Sequence, residues 1–408
     1  MHHLLGVLLL TGIPGAAFAE EAPTYAELLR RSVDRAPALL EQAANLRAAR
    51  AEARQAHAWL NPSVGVEVEN LGAPRAAGDA SQRQTTLSVT QPFEIGGKRG
   101  ARIAAGESNV RAAEARGRQA QIDYAAELAI AYATAEAAQL REQLAREDQT
   151  RAEEDLRAAD ALVRAGKEAQ LRLEQARASV AAATAVGEAA TADRIEALEN
   201  LSALAGVADT YTSVAPSLLV ATPIRSPMVG PQVGDAPAVA AAAAERDALA
   251  AQVRIERSRP IPDIGLSAGL RRFGGVGDTA FVVGVSATIP LFDRNRGNIA
   301  AAEERRTAAE ARLEAVRLRA NAARRSAQAQ LTAADGRLKA ATAGENASAE
   351  AYRLSRIGYD AGKASLVELL ISRRALSDAR ALTVDARLAR VRAEAALAQA
   401  DGRLAFGD

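Results

Sequence analysis

Cysteine is absent from the 408 residues, which excludes disulfides, thiolate metal sites and thiol nucleophiles together. Histidine is nearly absent. His2 and His3 fall in an apolar leader, so only His57 is left downstream, and most general-base and zinc chemistry goes with the missing imidazoles. Aromatics make up 3% of the chain, whereas a large enzyme core draws much of its buried area from Phe, Tyr and Trp. Charge of one sign is lacking too. The 51 basic and 50 acidic residues leave +1, too weak a field to steer the chain onto nucleic acid. Beyond the leader, no apolar run reaches the ~18 uncharged residues of a membrane-spanning helix.

What fills the space is alanine, at roughly a quarter of all positions, with 25% charged residues. That mixture at helical spacing points to long helices packed closely side by side. The leader, residues 1–19, runs through apolar Leu4 to Leu10 and ends in Ala17-Phe18-Ala19. This is the small-x-small pattern of a cleaved signal peptide, and it implies an exported protein. No cysteine follows it to carry a lipid.

The chain repeats itself. Ala36-Pro37-Ala38-Leu39 returns as Ala236-Pro237-Ala238-Val239, and Pro62-Ser63-Val64-Gly65 as Pro262-Asp263-Ile264-Gly265. Thr90-Gln91-Pro92 returns as Thr288-Ile289-Pro290, and Ala165-Gly166-Lys167 as Ala361-Gly362-Lys363. Four landmarks in one order describe a tandem duplication of about 200 residues. The organisation is a first repeat over 20–205, an irregular connector over 206–236, a second repeat over 237–402 and a tail over 403–408. Each repeat opens with a helix, about 38–59 and 238–257. Each continues with two strands of strict period two, the hairpins 63–91 and 263–289. A very long helix follows, about 101–164 and 299–360, and a second helix returns from the Ala-Gly-Lys turn, about 168–205 and 364–400. Val384, Leu388, Val391, Ala395 and Ala398 step by four and three, a coiled-coil seam.

At ~1.5 Å per residue the long helix spans roughly 96 Å, and the two shorter ones end to end match it within about a turn. The plan is a rod of paired helices built twice. Strands of about ten residues tilted near 45° rise ~24 Å, the height of an outer-membrane barrel's apolar band. Four strands cannot close a barrel, and an open sheet leaves edges that lipid does not tolerate. If the strands face lipid, several chains share one barrel, and three copies supply twelve strands.

The two-fold repeat of strand hairpin plus helical hairpin resembles the TolC-like outer-membrane efflux factors over essentially the whole mature chain. Gln91-Pro92-Phe93-Glu94-Ile95-Gly96-Gly97-Lys98-Arg99 is similar to the cobalt–zinc–cadmium subgroup of heavy-metal resistance systems. The resemblance implies a mainly α protomer with a small β part, in a homotrimer. Its twelve-stranded outer-membrane barrel would continue into a periplasmic α-helical barrel. It further implies a passive conduit joined to a periplasmic adaptor (a membrane fusion protein) and an inner-membrane proton-driven pump of the RND type, with outer-membrane lipid around the barrel, no nucleic-acid partner and no cofactor. Exporters of drugs, or of proteins by the type I route, use conduits of the same plan. A periplasmic coiled-coil scaffold without a pore explains the helices as well, but not four alternating strands at mirrored places.

Catalytic chemistry finds no constellation. The Gly-Lys pairs at 97–98, 166–167 and 362–363 lack the upstream glycine and following Ser or Thr of a phosphate loop, and they read as turns. The mature chain offers soft or borderline ions no cage. The resemblance places an acidic residue of the periplasmic entrance at Glu368, and a tyrosine that helps hold the entrance shut at Tyr359. The usual acidic partner of that tyrosine falls at Arg172. From the sequence alone Glu368 reads first as an ordinary solvated helix glutamate. The resemblance makes the tips, Ala165-Gly166-Lys167 and Ala361-Gly362-Lys363, the places where the adaptor docks.

Overall fold

A computed structural model describes residues 21–71, 83–220, 236–275, 277–361 and 363–407. The leader, part of the first hairpin loop, residues 221–235 of the connector and Gly362 lie outside the described residues. The elements in chain order are β1 (Glu21–Ala22), α1 (Tyr25–Ser32), α2 (Pro37–Ala56), β2 (Ser63–Glu69), β3 (Gln84–Phe93), α3 (Lys98–Arg164), α4 (Gln170–Ala205), β4 (Ser213–Val214), α5 (Pro237–Ser258), β5 (Ile264–Phe273), β6 (Thr279–Ala287), α6 (Arg296–Asp360) and α7 (Leu366–Ala400). The second repeat thus copies the first.

Local chemistry accounts for the helix ends. Pro37 and Pro237 stand at the first turn of α2 and α5, where a missing N–H costs nothing. No proline interrupts the chain between Pro92 and Pro216 or after Pro290, so α3 and α6 run for 67 and 65 residues on alanine, leucine, glutamate and arginine, all good helix formers. Gly166, at φ 68, ends the first long helix. The Gly166 N–H donates to the Val163 carbonyl and the Lys167 N–H to that of Leu162, each at 3.0 Å, which is the Schellman arrangement. At the second tip the Lys363 N–H donates to the Gly358 carbonyl at 2.7 Å, the equivalent bond.

The helices form a single layer. On the strand side the neighbours run α2, α3, α5, α6; on the tip side they run α4, α3, α7, α6. Small residues allow the close approach that this demands. A Cβ added at Gly106 of α3 would sit 3.0 Å from the Ala53 Cα of α2. Val384, Leu388, Val391, Ala395 and Ala398 are all buried, as the coiled-coil spacing predicts.

The length arithmetic needs correction. With 36 residues in α4 and 20 in α2, the two short helices fall about three turns short of α3 rather than matching it. In the first repeat the gap is filled by parts the sequence pattern did not disclose, α1 and a parallel pairing of β1 with β4. These pack on the most buried stretch of α3, Tyr124 to Ala138. The Tyr25 hydroxyl lies within hydrogen-bond distance of the carbonyls of Ala125 (2.9 Å) and Ala405 (2.6 Å). The Tyr132 hydroxyl lies 2.9 and 2.8 Å from those of Pro23 and Ala215. Burial raises both phenol pKa values, so these tyrosines stay neutral. Glu136 accepts backbone N–H groups from Ser217, Leu218 and Leu219 and thereby anchors the connector to α3. In the second repeat the equivalent gap is a groove of about 550 Å³ between the start of α5 and the end of α7.

Candidate functional site

The four long strands form one antiparallel sheet in the order β2-β3-β5-β6. Its register gathers every apolar alternate onto one face. Val66, Leu87, Leu270 and Phe281 stand in one row across it, and Val64, Val89, Ala268 and Val283 in the next. Among the described residues nothing covers this face: Phe281 is 91% exposed and Val283 84%. The opposite face carries Glu67, Thr86, Ser88, Ser267, Gly284 and Ser286. Near the loop end of that polar face, Arg271 pairs with Glu69 at 3.1 Å and donates to Thr86 Oγ1 at 3.0 Å. A sheet polar on one side and bare apolar on the other has the two surfaces of a membrane barrel wall, with lumen inside and lipid outside. Among the described residues β2 and β6 are the open edges.

The glycine-lysine-arginine segment after β3 turns the strand into α3. Gly96 and Gly97 take φ 67 and 78, the left-handed region where a side chain is disfavoured. A Cβ at Gly96 would lie 2.4 Å from Ile261 Cδ1, while at Gly97 it would meet nothing. Lys98 pairs with Asp263 at 2.9 Å across the two repeats. The Arg99 guanidinium lies 5.0 Å over the Trp59 ring and donates to the His57 carbonyl, and Arg102 pairs with Glu94. These contacts tie the sheet to the helical layer at the joint. In the second repeat Asn295 takes the left-handed place, at φ 54, and its amide donates to the Glu256 carbonyl and carboxylate.

At the far end, Glu368 stands in the first turn of α7 and closes a capping box. Its carboxylate accepts the Ser365 N–H at 2.9 Å, and its own N–H donates to Ser365 Oγ at 3.3 Å. Glu368 is nevertheless exposed. Arg172 occupies the corresponding place in α4, with Ala169 as N-cap in place of a side-chain acceptor. Tyr359 and Arg172 are both half-buried, and the structure forms no hydrogen bond between them among the described residues. Ala165, Gly166 and Lys167 are exposed at one tip, as are Ala361 and Lys363 at the other. Gly362 falls outside the described residues.

The two helical hairpins meet along α3 and α7, where the buried apolar seam of α7 is flanked by polar contacts. Gln399 donates to Asp123 at 2.8 Å, Arg380 pairs with Glu147 at 3.5 Å, and Arg141–Asp385, Ser377–Asp148 and Arg373–Asp155 continue the ladder. Within the first hairpin, Glu142 is nearly buried between Arg194 (3.0 Å), Arg146 (2.8 Å) and Thr191 (2.9 Å). Burial alone would raise its pKa, but the Thr191 hydroxyl and the two guanidinium groups hold it below the ordinary value.

The profile of the outer membrane efflux proteins matches residues 28–207 and 234–403, the two repeats in turn. The chain belongs to that family. It is 58% identical to the nickel-cobalt-cadmium resistance protein NccC of Alcaligenes xylosoxydans xylosoxydans, over 98% of this chain and 92% of that protein. It is 60% identical to the nickel and cobalt resistance protein CnrC of Cupriavidus metallidurans, over 71% and 69% respectively. Among solved structures, the Campylobacter jejuni CmeC outer membrane channel superposes with a TM-score of 0.78 at 16% identity, covering 94% of this chain and 87% of that one. The apolar sheet face is therefore the outer-membrane surface of an efflux component, and the helical layer is its extension into the periplasm.

Sequence periodicity did not reveal Glu136 or the α3–α7 ladder. Both join segments far apart in the chain, and a lone acidic residue on a helix carries no signal of what it will meet. Glu368 could have been read as a cap, since Ser365-Leu366-Val367-Glu368 has the spacing of a capping box.

Proposed function

We propose that three copies of the chain close into one conduit: twelve strands in the outer membrane above a helical tube that receives heavy-metal cations from an adaptor and an inner-membrane pump. The observation that carries this reading is the pair of open edges. β2 and α2 end the layer on one side, and β6 and α6 end it on the other. An identical rotation that joins the β6 edge of one copy to the β2 edge of the next closes sheet and helices together. A repeating head-to-tail contact of this kind gives a ring, and it leaves no strand edge in lipid. The likeness to nickel, cobalt and cadmium resistance proteins supports divalent metal cations as cargo. With one histidine and no cysteine after the leader, metal selection then rests with the pump and adaptor, and the conduit passes what it is given. The tips at Ala165–Lys167 and Ala361–Lys363 would present six docking places for the adaptor, in two unequal sets. Light scattering of the detergent-solubilised protein tests the assembly, with a protein mass of three chains expected and one of a single chain overturning it. Loss of nickel and cobalt resistance on deletion of the gene, restored by the intact chain, tests the cargo.

A further inference from the structure

The internal duplication specifies how neighbouring copies pair. The two hairpins obey one correspondence: Val64 stands opposite Val89 in the first, and their counterparts Ile264 and Ala287 stand opposite each other in the second. The shift that carries Pro62 to Pro262 along β2 and β5, and the slightly shorter one that carries Thr90 to Thr288 along β3 and β6, therefore hold in three dimensions as well as in sequence. Between repeats, β3 pairs with β5, placing Thr90 opposite Ser267, Gln91 opposite Leu266, Pro92 opposite Gly265 and Phe93 opposite Ile264. The equivalent junction beyond β6 has no partner among the described residues. The β6 strand stops at Ala287, although the counterpart stretch of β3 stays paired to Phe93. In the next four residues, Thr288-Ile289-Pro290-Leu291, Ile289 is 69% and Leu291 65% exposed.

We infer that Thr288–Leu291 is an unfinished strand, its end turned back by a bond from the Leu291 N–H to the Ile289 carbonyl at 3.0 Å, which opens to be completed by β2 of a second copy in the register Thr288–Glu67, Ile289–Val66, Pro290–Gly65 and Leu291–Val64. Residue chemistry agrees at each step. Pro290 cannot donate to a ladder, and it falls opposite a glycine, as Pro92 does. Ile289 and Leu291 come to lie beside Val66 and Val64, which are 67% and 69% exposed on the same apolar face. Thr288 falls beside Glu67 on the polar face. A slip of one residue would place these aliphatic side chains against the lumen. The inference rests on the three-copy reading above and adds its register.

Cysteine pairs test it in the full chain, which has no native cysteine to compete. Directly opposed positions lie ~4.5–5.5 Å apart at Cα, within disulfide reach, whereas pairs displaced by two residues lie ~7–8 Å apart. Two matched pairs, Glu67→Cys with Thr288→Cys and Val66→Cys with Ile289→Cys, lie on opposite faces, so if one impairs assembly the other still reports. Oxidation in detergent should link matched pairs into a reducible three-chain ladder. The displaced pairs, Glu67→Cys with Ser286→Cys and Val66→Cys with Ala287→Cys, should link about tenfold less. Displaced pairs that link as well as matched ones would overturn the register. If light scattering of the same samples gives three chains, the three-copy conduit survives that result; if it gives one chain, both fall together.

Discussion

At the residue scale, two adjacent glycines differ in what holds them. Gly97 is confined by φ alone, so Gly97→Ala should cost about 1 kcal/mol. Gly96 has the same backbone constraint and also Ile261 at 2.4 Å from the site of a Cβ. Gly96→Ala should therefore lose about 2–3 kcal/mol, visible as a larger fall in the thermal midpoint of the detergent-solubilised protein. Glu368 has two separable properties, a cap and a charge. Glu368→Gln keeps an acceptor for the Ser365 N–H and removes the charge. If the carboxylate lines the entrance, this variant should lower cation preference in bilayer conductance by the equivalent of about 1 kcal/mol or less, because the site is water-screened. Assembly should be unchanged, and equal selectivity would leave Glu368 as a cap only. The capping role was legible in the Ser-x-x-Glu spacing, and the solvated position was an expectation from sequence as well.

At the element scale, the helical hairpins are closed by small side chains and tuned by a few buried charges. Glu142 ties α3 to α4, and its pKa lies below the ordinary carboxylate value. Its contribution to stability is thus present above that value and is lost as pH falls through it towards the lowered pKa. Glu142→Gln should destabilise the protein by about 1 kcal/mol at neutral pH. The gap between variant and parent should shrink on acidification, as followed by denaturant unfolding at several pH values. The tips give the second test. A bulky side chain at the left-handed position of Gly166 costs roughly 1 kcal/mol, too little to undo helices of this length. Gly166→Leu with Gly362→Leu should therefore leave outer-membrane assemblies intact while reducing adaptor cross-linking and metal export. Undiminished cross-linking would assign the glycines to the turn alone. Both turns were legible in sequence because the same tripeptide marks each.

At the scale of the whole molecule, the protomer is a slice rather than a closed body. The sheet exposes Phe281 and Val283 almost completely, a surface that water does not favour and lipid does. Its edges and those of the helical layer coincide, so one symmetry operation satisfies both. Membrane insertion and assembly should consequently be coupled. Substitutions that block the β2 edge, such as Val66→Pro, should reduce the three-chain species and bilayer conductance in parallel, and a conducting single chain would refute that coupling.

Periodicity determined much of this from sequence. Period-two alternation marked the four strands, heptad stepping marked the α7 seam, and paired prolines and glycines punctuated two copies of one plan. These are local signals, written in neighbouring residues and read without knowing what lies opposite. Only the tertiary structure decided what fills the gap between α2 and α4. β1 and β4 are two residues each, too short for any alternation to register, and they exist because Tyr132 and Glu136 of α3 hold the backbone around them. It also decided that the α7 seam packs against α3, with a ladder of charged and polar pairs running alongside it. Such contacts join residues more than a hundred or even two hundred positions apart, and their energy depends on which faces the packed helices turn toward each other.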